Sequence, residues 1–317
     1  MNPLEYFILP AQKTLFSSLC KMYKGQIEAN EGSYILVKGE APILLVAHLD
    51  TVHDKCVRQI CKTSNGNILM SPQGIGGDDR CGVYALAAIY EQSRVKPWLL
   101  FTCDEEIGGV GAARFCADHR SGGLPDELDN MKIIIEIDRK GENDAVYYEC
   151  DNPEFEAYIT SKGFKTEFGS FSDISYVAPE LGTAAVNLSS GYYNAHTLHE
   201  YINRKHLNAT IKKVVEIVSD TVAPDFPTYE YRENEIYRYA NIYDSYRGCY
   251  LIDPIPDSVP EHIQKAYYDL LDFYSVEELE DIRKNQGDEF ILILFETEFG
   301  VPYQDWHGTE TEMLTEL

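Results

Sequence analysis

The stretch PILLVAHLD, residues 42–50, runs through apolar residues and ends in a histidine and an aspartate. Three further stretches also pass from an apolar run to polar groups: KPWLLFTCDEE (96–106), MKIIIEID (131–138), and GTAAVNLS (182–189) with GYYNAH (191–196). Such runs are typical of strands buried on both faces of a parallel sheet. Because ligands bind at the carboxyl edge of these sheets, we expect the polar side chains to converge there.

Helix-like segments follow the strand candidates along the chain. They are CGVYALAAIYEQSR (81–94), GGVGAARFCADHR (108–120) and NRKHLNATIKKVVEIVSDTV (203–222). Strands that alternate with helices are typical of parallel sheets. The sequence therefore predicts an α/β fold with a mostly parallel, twisted sheet and helices on both faces.

The bulk composition excludes several classes of partner. The chain has 317 residues, a formal charge of −25 and a pI of about 4.6. Phosphates would be repelled, which argues against nucleic acid and anionic membranes as partners. The eight cysteines are scattered, as in proteins of reducing compartments, and no stretch reaches the roughly 18 apolar residues of a spanning helix. We therefore predict a cytoplasmic protein, and its oligomeric state stays open.

The composition changes at Pro224. Residues 224–317 hold 6 Lys+Arg against 22 Asp+Glu and are rich in tyrosine. Two capping-box signatures, Ser258-x-x-Glu261 and Ser275-x-x-Glu278, predict short helices, whereas FILILF (290–295) fits a strand or a buried helix. We predict a catalytic domain over 1–223 and a mainly helical, acidic C-terminal appendage over 224–317.

His48 and Asp50 are the first candidate site residues. They lie two apart at a strand end, so both side chains point to the same side. A neutral imidazole binds zinc well, and a carboxylate on its other nitrogen fixes the tautomer, a task that suits Asp50. Asp138 ends its strand in the same way. Glu136 shares its side of the strand and is a rival ligand farther from the edge.

Acids follow at two further points. Asp78 and Asp79 come after three glycines in GIGGDDR (74–80), a motif that by itself fits a surface turn as well as a metal loop. Its position, after a strand-sized gap and before an apolar helix that would pack on the sheet, favours the metal loop. Glu105 and Glu106 directly follow an apolar strand. Metal-assisted hydrolysis needs one carboxylate as a ligand and a free one beside it that takes a proton from water. These two glutamates supply that pair.

The motif AHTLHE (195–200) completes the set. His196 is the candidate ligand, and His199 would replace it if the segment were helical. The other histidines lack an acidic or strand-end context, and we expect them at the surface. They are His53, His119, His206, His262 and His307.

Taken together, these motifs resemble those of the co-catalytic zinc exopeptidases, which include bacterial leucyl aminopeptidase, peptidase T, carboxypeptidase G-like enzymes and tetrahedral aminopeptidases. VAHLDTV (46–52), GGDDRCG (76–82), FTCDEEIGGVGA (101–112) and AHTLHE look like close variants of the peptidase T and aminopeptidase motifs. The resemblance covers roughly residues 43–206. It implies the zinc exopeptidase, or phosphorylase/hydrolase-like, fold.

The resemblance also implies a role for each matching residue. By this resemblance, His48 and Asp138 would bind one metal, Glu106 and His196 would bind the other, and Asp78 would bridge both. Asp50 would orient His48, and Glu105 would be the general base. The implied cofactors are two divalent ions, zinc first, with cobalt or manganese as alternatives. A small peptide is the implied substrate, and a cis bond is expected between Asp78 and Asp79.

The spacing of the motifs departs from some of these relatives. Peptidase T-like enzymes insert a domain before the last motif, but only 57 residues separate Asp138 from His196. Tetrahedral aminopeptidases insert a domain between the first and second motifs, but only 27 residues separate Asp50 from Asp78. We therefore expect a minimal catalytic domain without an inserted domain, whose loops or C-terminal region contact the substrate. FGSFSDISYV (168–177) lies where relatives often make such contacts, which makes Ser172 and Asp173 candidates.

The leading hypothesis is an aminopeptidase. An N-acyl amino acid deacylase would use the same metal site. An aminopeptidase substrate has a free α-amine, and binding it would call for an extra acid such as Asp173 or Glu149. A cyclising acyltransferase on a single-zinc scaffold fits less well, because all ligand positions and the base are retained. The non-enzyme alternative is an inactive binding or adaptor protein with an acidic tail, but such relatives usually lose a ligand or the base.

Overall fold

The computed structural model describes residues 3–30, 32–53, 55–169, 171–233, 258–270 and 274–299. The chain forms two compact units. The first is Met1–Glu167 with Phe171–Arg238, and the second is Phe168–Ser170 with Tyr239–Leu317. The first unit thus runs past Pro224, and the domain border between residues 223 and 224 stays a prediction.

The first unit combines helices with two sheets. Its helices are α1 (Glu5–Ile8), α2 (Gln12–Met22), α3 (Gly77–Gln92), α4 (Val110–Arg120), α5 (Pro153–Ser161), α6 (Ile174–Leu181) and α7 (Arg204–Thr221). Its strands are β1 (Ile27–Asn30), β2 (Tyr34–Val37), β3 (Ile43–His48), β4 (Cys61–Lys62), β5 (Ile68–Met70), β6 (Trp98–Thr102), β7 (Ile133–Arg139), β8 (Asp144–Val146), β9 (Lys165–Thr166), β10 (Ala185–Ser189), β11 (Tyr192–Tyr193) and β12 (Tyr201–Asn203).

The main sheet has eight strands in the order β1-β2-β6-β3-β7-β10-β8-β9. The central strands β6, β3, β7 and β10 are parallel, whereas β1, β2 and β8 pair antiparallel toward the edges. All four apolar runs named above are these central strands. The predicted α/β fold with a mostly parallel sheet is confirmed.

Strand β3 shows why the sheet carries helices on both faces. Ile43, Leu45 and Ala47 belong to one buried cluster, and Leu44 and Val46 belong to another. Side chains alternate along a strand, so an unbroken apolar run supplies both faces. Helices α2, α3 and α7 pack on the first face, and α4 and α6 pack on the second.

The second sheet was not predicted from the sequence. It is antiparallel with the order β11-β12-β5-β4. Each of its strands has only two or three residues, which is too short for a periodic signal. The sheet matters for the site because β11 leads directly to His196.

The second unit is helical in its described residues, with α8 (Glu261–Asp269), α9 (Val276–Gln286) and α10 (Glu289–Phe299). FILILF is part of α10, and Ser275 forms a capping box with Glu278 at the start of α9. Its buried cluster comprises Val259, Ile263, Ala266, Tyr267, Leu270, Leu279, Ile291 and Phe295. Of the seven tyrosines between residues 229 and 250, the five from Tyr237 onward lie outside the described residues. Within the described ranges, no helix is long and apolar enough to cross a membrane.

Candidate metal centre

The predicted ligands meet at the carboxyl edge of the parallel strands. His48 is the last residue of β3, Asp138 lies one residue before the end of β7, and Asp78 lies at the start of α3. Glu106 follows β6, and His196 follows β11. Each position is fixed by the end of a buried element, so the fold brings together groups that lie far apart in the sequence.

Asp78 lies between the two candidate histidines. Its Oδ1 is 3.2 Å from His48 Nε2, and its Oδ2 is 3.3 Å from His196 Nε2. Burial disfavours the charged carboxylate, but the two histidines outweigh that effect and hold the pKa of Asp78 far below its usual range. A carboxylate with one oxygen toward each imidazole has the arrangement that a bridging ligand requires.

Two other acids lie beside the histidines. Glu106 Oε2 is 3.1 Å from His196 Nε2, and Asp138 Oδ1 is 3.6 Å from His48 Nε2. His48, Asp78 and Glu106 have donor atoms close enough to hold one ion, as do His48, Asp79 and Asp138.

The second of these groups contains Asp79 rather than Asp78. However, Asp79 Oδ1 accepts a hydrogen bond from the N–H of Gly82 at 2.8 Å, and Oδ2 accepts from the N–H of His48 at 3.3 Å. Both oxygens are therefore held by backbone, whereas those of Asp78 face the imidazoles. This geometry favours Asp78 as the ligand. The expected cis bond between Asp78 and Asp79 is confirmed.

Asp50 contacts both the imidazole of His48 and the backbone of Glu105 and Glu106. Its Oδ1 lies 3.3 Å from His48 Nδ1, which leaves Nε2 free to face Asp78. The same carboxylate accepts the backbone N–H groups of Glu105 at 3.1 Å and Glu106 at 3.0 Å. One side chain thus orients the imidazole and fixes the turn that carries the two glutamates.

Glu105, the predicted base, is largely buried beside this cluster. Its Oε2 lies 3.9 Å from His48 Nε2, and its side chain is 12% exposed. Burial raises the pKa of Glu105 well above its usual range, and the charges of Asp173, Asp138 and Glu106 raise it further, against the opposing effect of His48. A carboxyl group with a raised pKa is suited to accepting a proton.

The electrostatics of the centre fit divalent cations. Burial opposes the charged imidazoles, yet the surrounding carboxylates raise the pKa of both His48 and His196. Burial and neighbouring acids also raise the pKa of Asp138. Within the described parts of the chain, no hydrogen-bond donor reaches Glu106 Oε1 or Asp138 Oδ1. Buried acids this dense need compensating positive charge, and the imidazole and carboxylate donors suit zinc.

His196 has an unusual backbone conformation. Its φ is 61°, and that of nearby Asn194 is 55°. Left-handed conformations are uncommon and costly for residues other than glycine, and they often occur at functional sites. His199, the alternative ligand, is exposed, whereas His196 Nε2 lies 3.3 Å from Asp78 Oδ2 and 3.1 Å from Glu106 Oε2.

The remaining predicted residues, Ser172, Asp173 and Glu136, are buried near the ligands. Ser172 is buried and donates to Asp138 Oδ2 at 3.4 Å, and Asp173 is buried and accepts from the Thr102 hydroxyl. Their assignment as substrate contacts stays a prediction. Glu136, the rival ligand, is completely buried and belongs to neither group of donor atoms.

Two residues beside the site, His53 and Glu200, were not among the site residues predicted from the sequence. His53 was expected at the surface, and this was wrong, because its ring lies 3.0 Å from the buried carboxylate of Glu200 and its side chain is 10% exposed. Glu200 also accepts two backbone N–H groups of the Asp78 loop. The sequence held one signal for this contact, since Glu200 is the last residue of the AHTLHE motif.

The fold is similar to those of two solved peptidase structures. A tripeptidase from Staphylococcus aureus subsp. aureus mu50 matches with a TM-score of 0.51 and 14% identity, over 69% of this chain and 97% of its own. The aminopeptidase PepT from Bacillus cereus matches with a TM-score of 0.52 and 14% identity, over 70% of this chain and 98% of its own. No family model matches the chain, and no curated protein matches its sequence.

Proposed function

We propose that the protein is a metal-dependent aminopeptidase that hydrolyses small peptides. The observation that carries this proposal is the position of Asp78 between His48 and His196, with Glu105 beside them. That arrangement supplies a shared ligand, one histidine for each ion and a free base. The names of the two similar structures, a tripeptidase and an aminopeptidase, support a peptide substrate.

The centre would hold two divalent ions, with zinc the best fit to its donors. His48 and Asp138 would bind one, Glu106 and His196 the other, and Asp78 both. Bound there, the ions would polarise the scissile carbonyl and lower the pKa of water.

The chain's own groups account for the proton transfers. Glu105 takes a proton from the attacking water and then gives it to the leaving amine. Asp50 holds the backbone N–H groups of Glu105 and Glu106, so base and ligand keep their relative positions. Asp50 also fixes the tautomer in which His48 Nε2 faces Asp78.

A substrate panel tests the reaction class. We expect leucyl and alanyl amides to be cleaved when zinc, cobalt or manganese is present, and their N-acetyl forms to be resistant. Preferential cleavage of the N-acetyl forms would instead establish the deacylase. Failure to cleave either set, with metal bound, would support the inactive binding protein.

Glu105→Gln tests the mechanism. Loss of a general base lowers kcat by about 10² to 10⁴-fold, and we expect the bound metal to stay unchanged. The matched control is Glu142→Gln, since the Glu142 side chain is 51% exposed and has no part in the proposed chemistry. Normal turnover in Glu105→Gln would refute its role as the base.

A further inference from the structure

Glu200 connects segments that carry different candidate ligands. Its side chain is fully buried, and it lies four residues after His196. Oε1 accepts the backbone N–H of Asp78 at 2.9 Å, and Oε2 accepts that of Gly76 at 2.8 Å. Oε2 also lies 3.0 Å from His53 Nε2. One carboxylate therefore joins the segment of His196 to the loop of Asp78 and to the loop after β3.

The glycines of this loop make the contact sterically feasible. A Cβ on Gly74 would lie 2.3 Å from the His53 ring, and a Cβ on Gly77 would lie 3.1 Å from Glu200 Oε1. Gly74 also has a φ of 79°, which side-chain-bearing residues rarely adopt. The loop thus lacks side chains where it closes around Glu200 and His53.

The chemistry of the contact calls for a carboxylate. The N–H groups of Gly76 and Asp78 precede the regular turns of α3, because Asp78 and Asp79 have non-helical backbone angles. Both N–H groups are buried and donate to Glu200, and a buried N–H without an acceptor is costly. A carboxylate accepts hydrogen bonds on both oxygens, whereas an amide accepts on only one. Glu200 therefore satisfies both donors, and glutamine at this position would leave one buried N–H without an acceptor.

We propose that Glu200 is a positioning residue of the metal centre. It fixes the backbone of Asp78 so that the two carboxylate oxygens face His48 and His196. This inference rests on the proposed function, because it takes Asp78 as the ligand shared by both ions. A backbone displacement at Asp78 would move both oxygens away from the imidazoles together, so loss of Glu200 weakens both ion sites. His53 contacts Oε2, the oxygen that also accepts from Gly76.

Zinc titration of the full-length, metal-free protein tests the inference. Loss of a residue that positions a ligand typically weakens metal affinity by about 10- to 100-fold, and we expect Glu200→Gln to raise the zinc Kd by this factor. Activity should return when zinc is raised well above the new Kd, with KM close to that of the wild type. His53→Ala should have a smaller effect, because both backbone hydrogen bonds to Glu200 remain.

Glu180→Gln is the matched control. Glu180 Oε1 lies 3.0 Å from His119 Nδ1, so the two residues form the same kind of pair between α4 and α6. Both glutamine variants should lower the melting temperature of the metal-free protein, but only Glu200→Gln should raise the zinc Kd. A Glu200→Gln variant that is destabilised but binds zinc with wild-type affinity would overturn this inference and leave the proposed function intact. A wild-type protein that binds no divalent metal would overturn the proposed function, and the inference with it.

Discussion

Asp50 Oδ1 lies 3.3 Å from His48 Nδ1, on the side of the ring that faces away from Asp78. Burial disfavours the charge on Asp50, but His48 and the backbone N–H groups of Glu106 and Glu105 outweigh that effect and lower its pKa. Asp50 is therefore ionised at neutral pH, and its negative charge favours the tautomer that presents Nε2 to a metal.

Asp50→Asn should weaken zinc binding by about 10- to 100-fold and lower kcat. The amide accepts on one oxygen only, so it cannot serve His48 and both backbone N–H groups together. Zinc titration and steady-state kinetics measure the two effects. Asp104→Asn is the control, since Asp104 accepts from Gln12 Nε2 and asparagine tolerates its φ of 59°. Equal losses in the two variants would contradict a specific role for Asp50.

Metal removal should lower the stability of the first unit. The buried acids of the centre repel one another without cations, and a ligand that binds only the folded state stabilises it. At free zinc 100 times the Kd, one site contributes about 2.7 kcal/mol. We expect the melting temperature to fall with chelator and to recover with zinc. In Asp78→Asn this shift should largely disappear, and a full shift there would count against Asp78 as a ligand.

Asp173 should make the metal-free protein less stable as the pH rises. Burial raises its pKa from 3.8 to about 6, against opposing effects from the Thr102 hydroxyl and His48. Between these values the folded state binds more protons than the unfolded state, so stability falls with increasing pH. At pH 7 the cost is at most about 3 kcal/mol.

Asp173→Asn removes this titration. Urea unfolding at pH 4 and pH 7, without metal, should show the variant gaining stability relative to the wild type as the pH rises. The asparagine carbonyl can still accept from Thr102, so the hydrogen bond does not confound the comparison. A difference between the two proteins that stays constant with pH would contradict the assignment.

The parallel core was predictable because its signals are local. Long apolar runs ending in His48, Thr102 and Asp138 identify buried strands and, with them, the edge where the site lies. Position along the strand favoured Asp138 over Glu136, and the resemblance then assigned roles that residue types left open, such as that of Asp78 as the shared ligand. FILILF shows the limit of periodicity, since a wholly apolar run fits a buried strand or a helix, and the structure has it in α10.

What the sequence did not reveal depends on long-range contacts. His53 and Glu200 are 147 residues apart, and neither has the strand-end context that marked the ligands. The small second sheet pairs β12 with β5, where Ile202 lies opposite Leu69, 133 residues earlier in the sequence. Its short strands are stabilised by their neighbours rather than by their own pattern.

The number of zinc ions bound per chain, measured by titration calorimetry on the wild type and on His196→Ala, shows whether the centre holds two ions that share Asp78. We expect two ions in the wild type and one in the variant, because His48, Asp78 and Asp138 still form the first site. A wild type that binds no zinc, or a variant that binds two ions with wild-type affinity, would contradict this expectation.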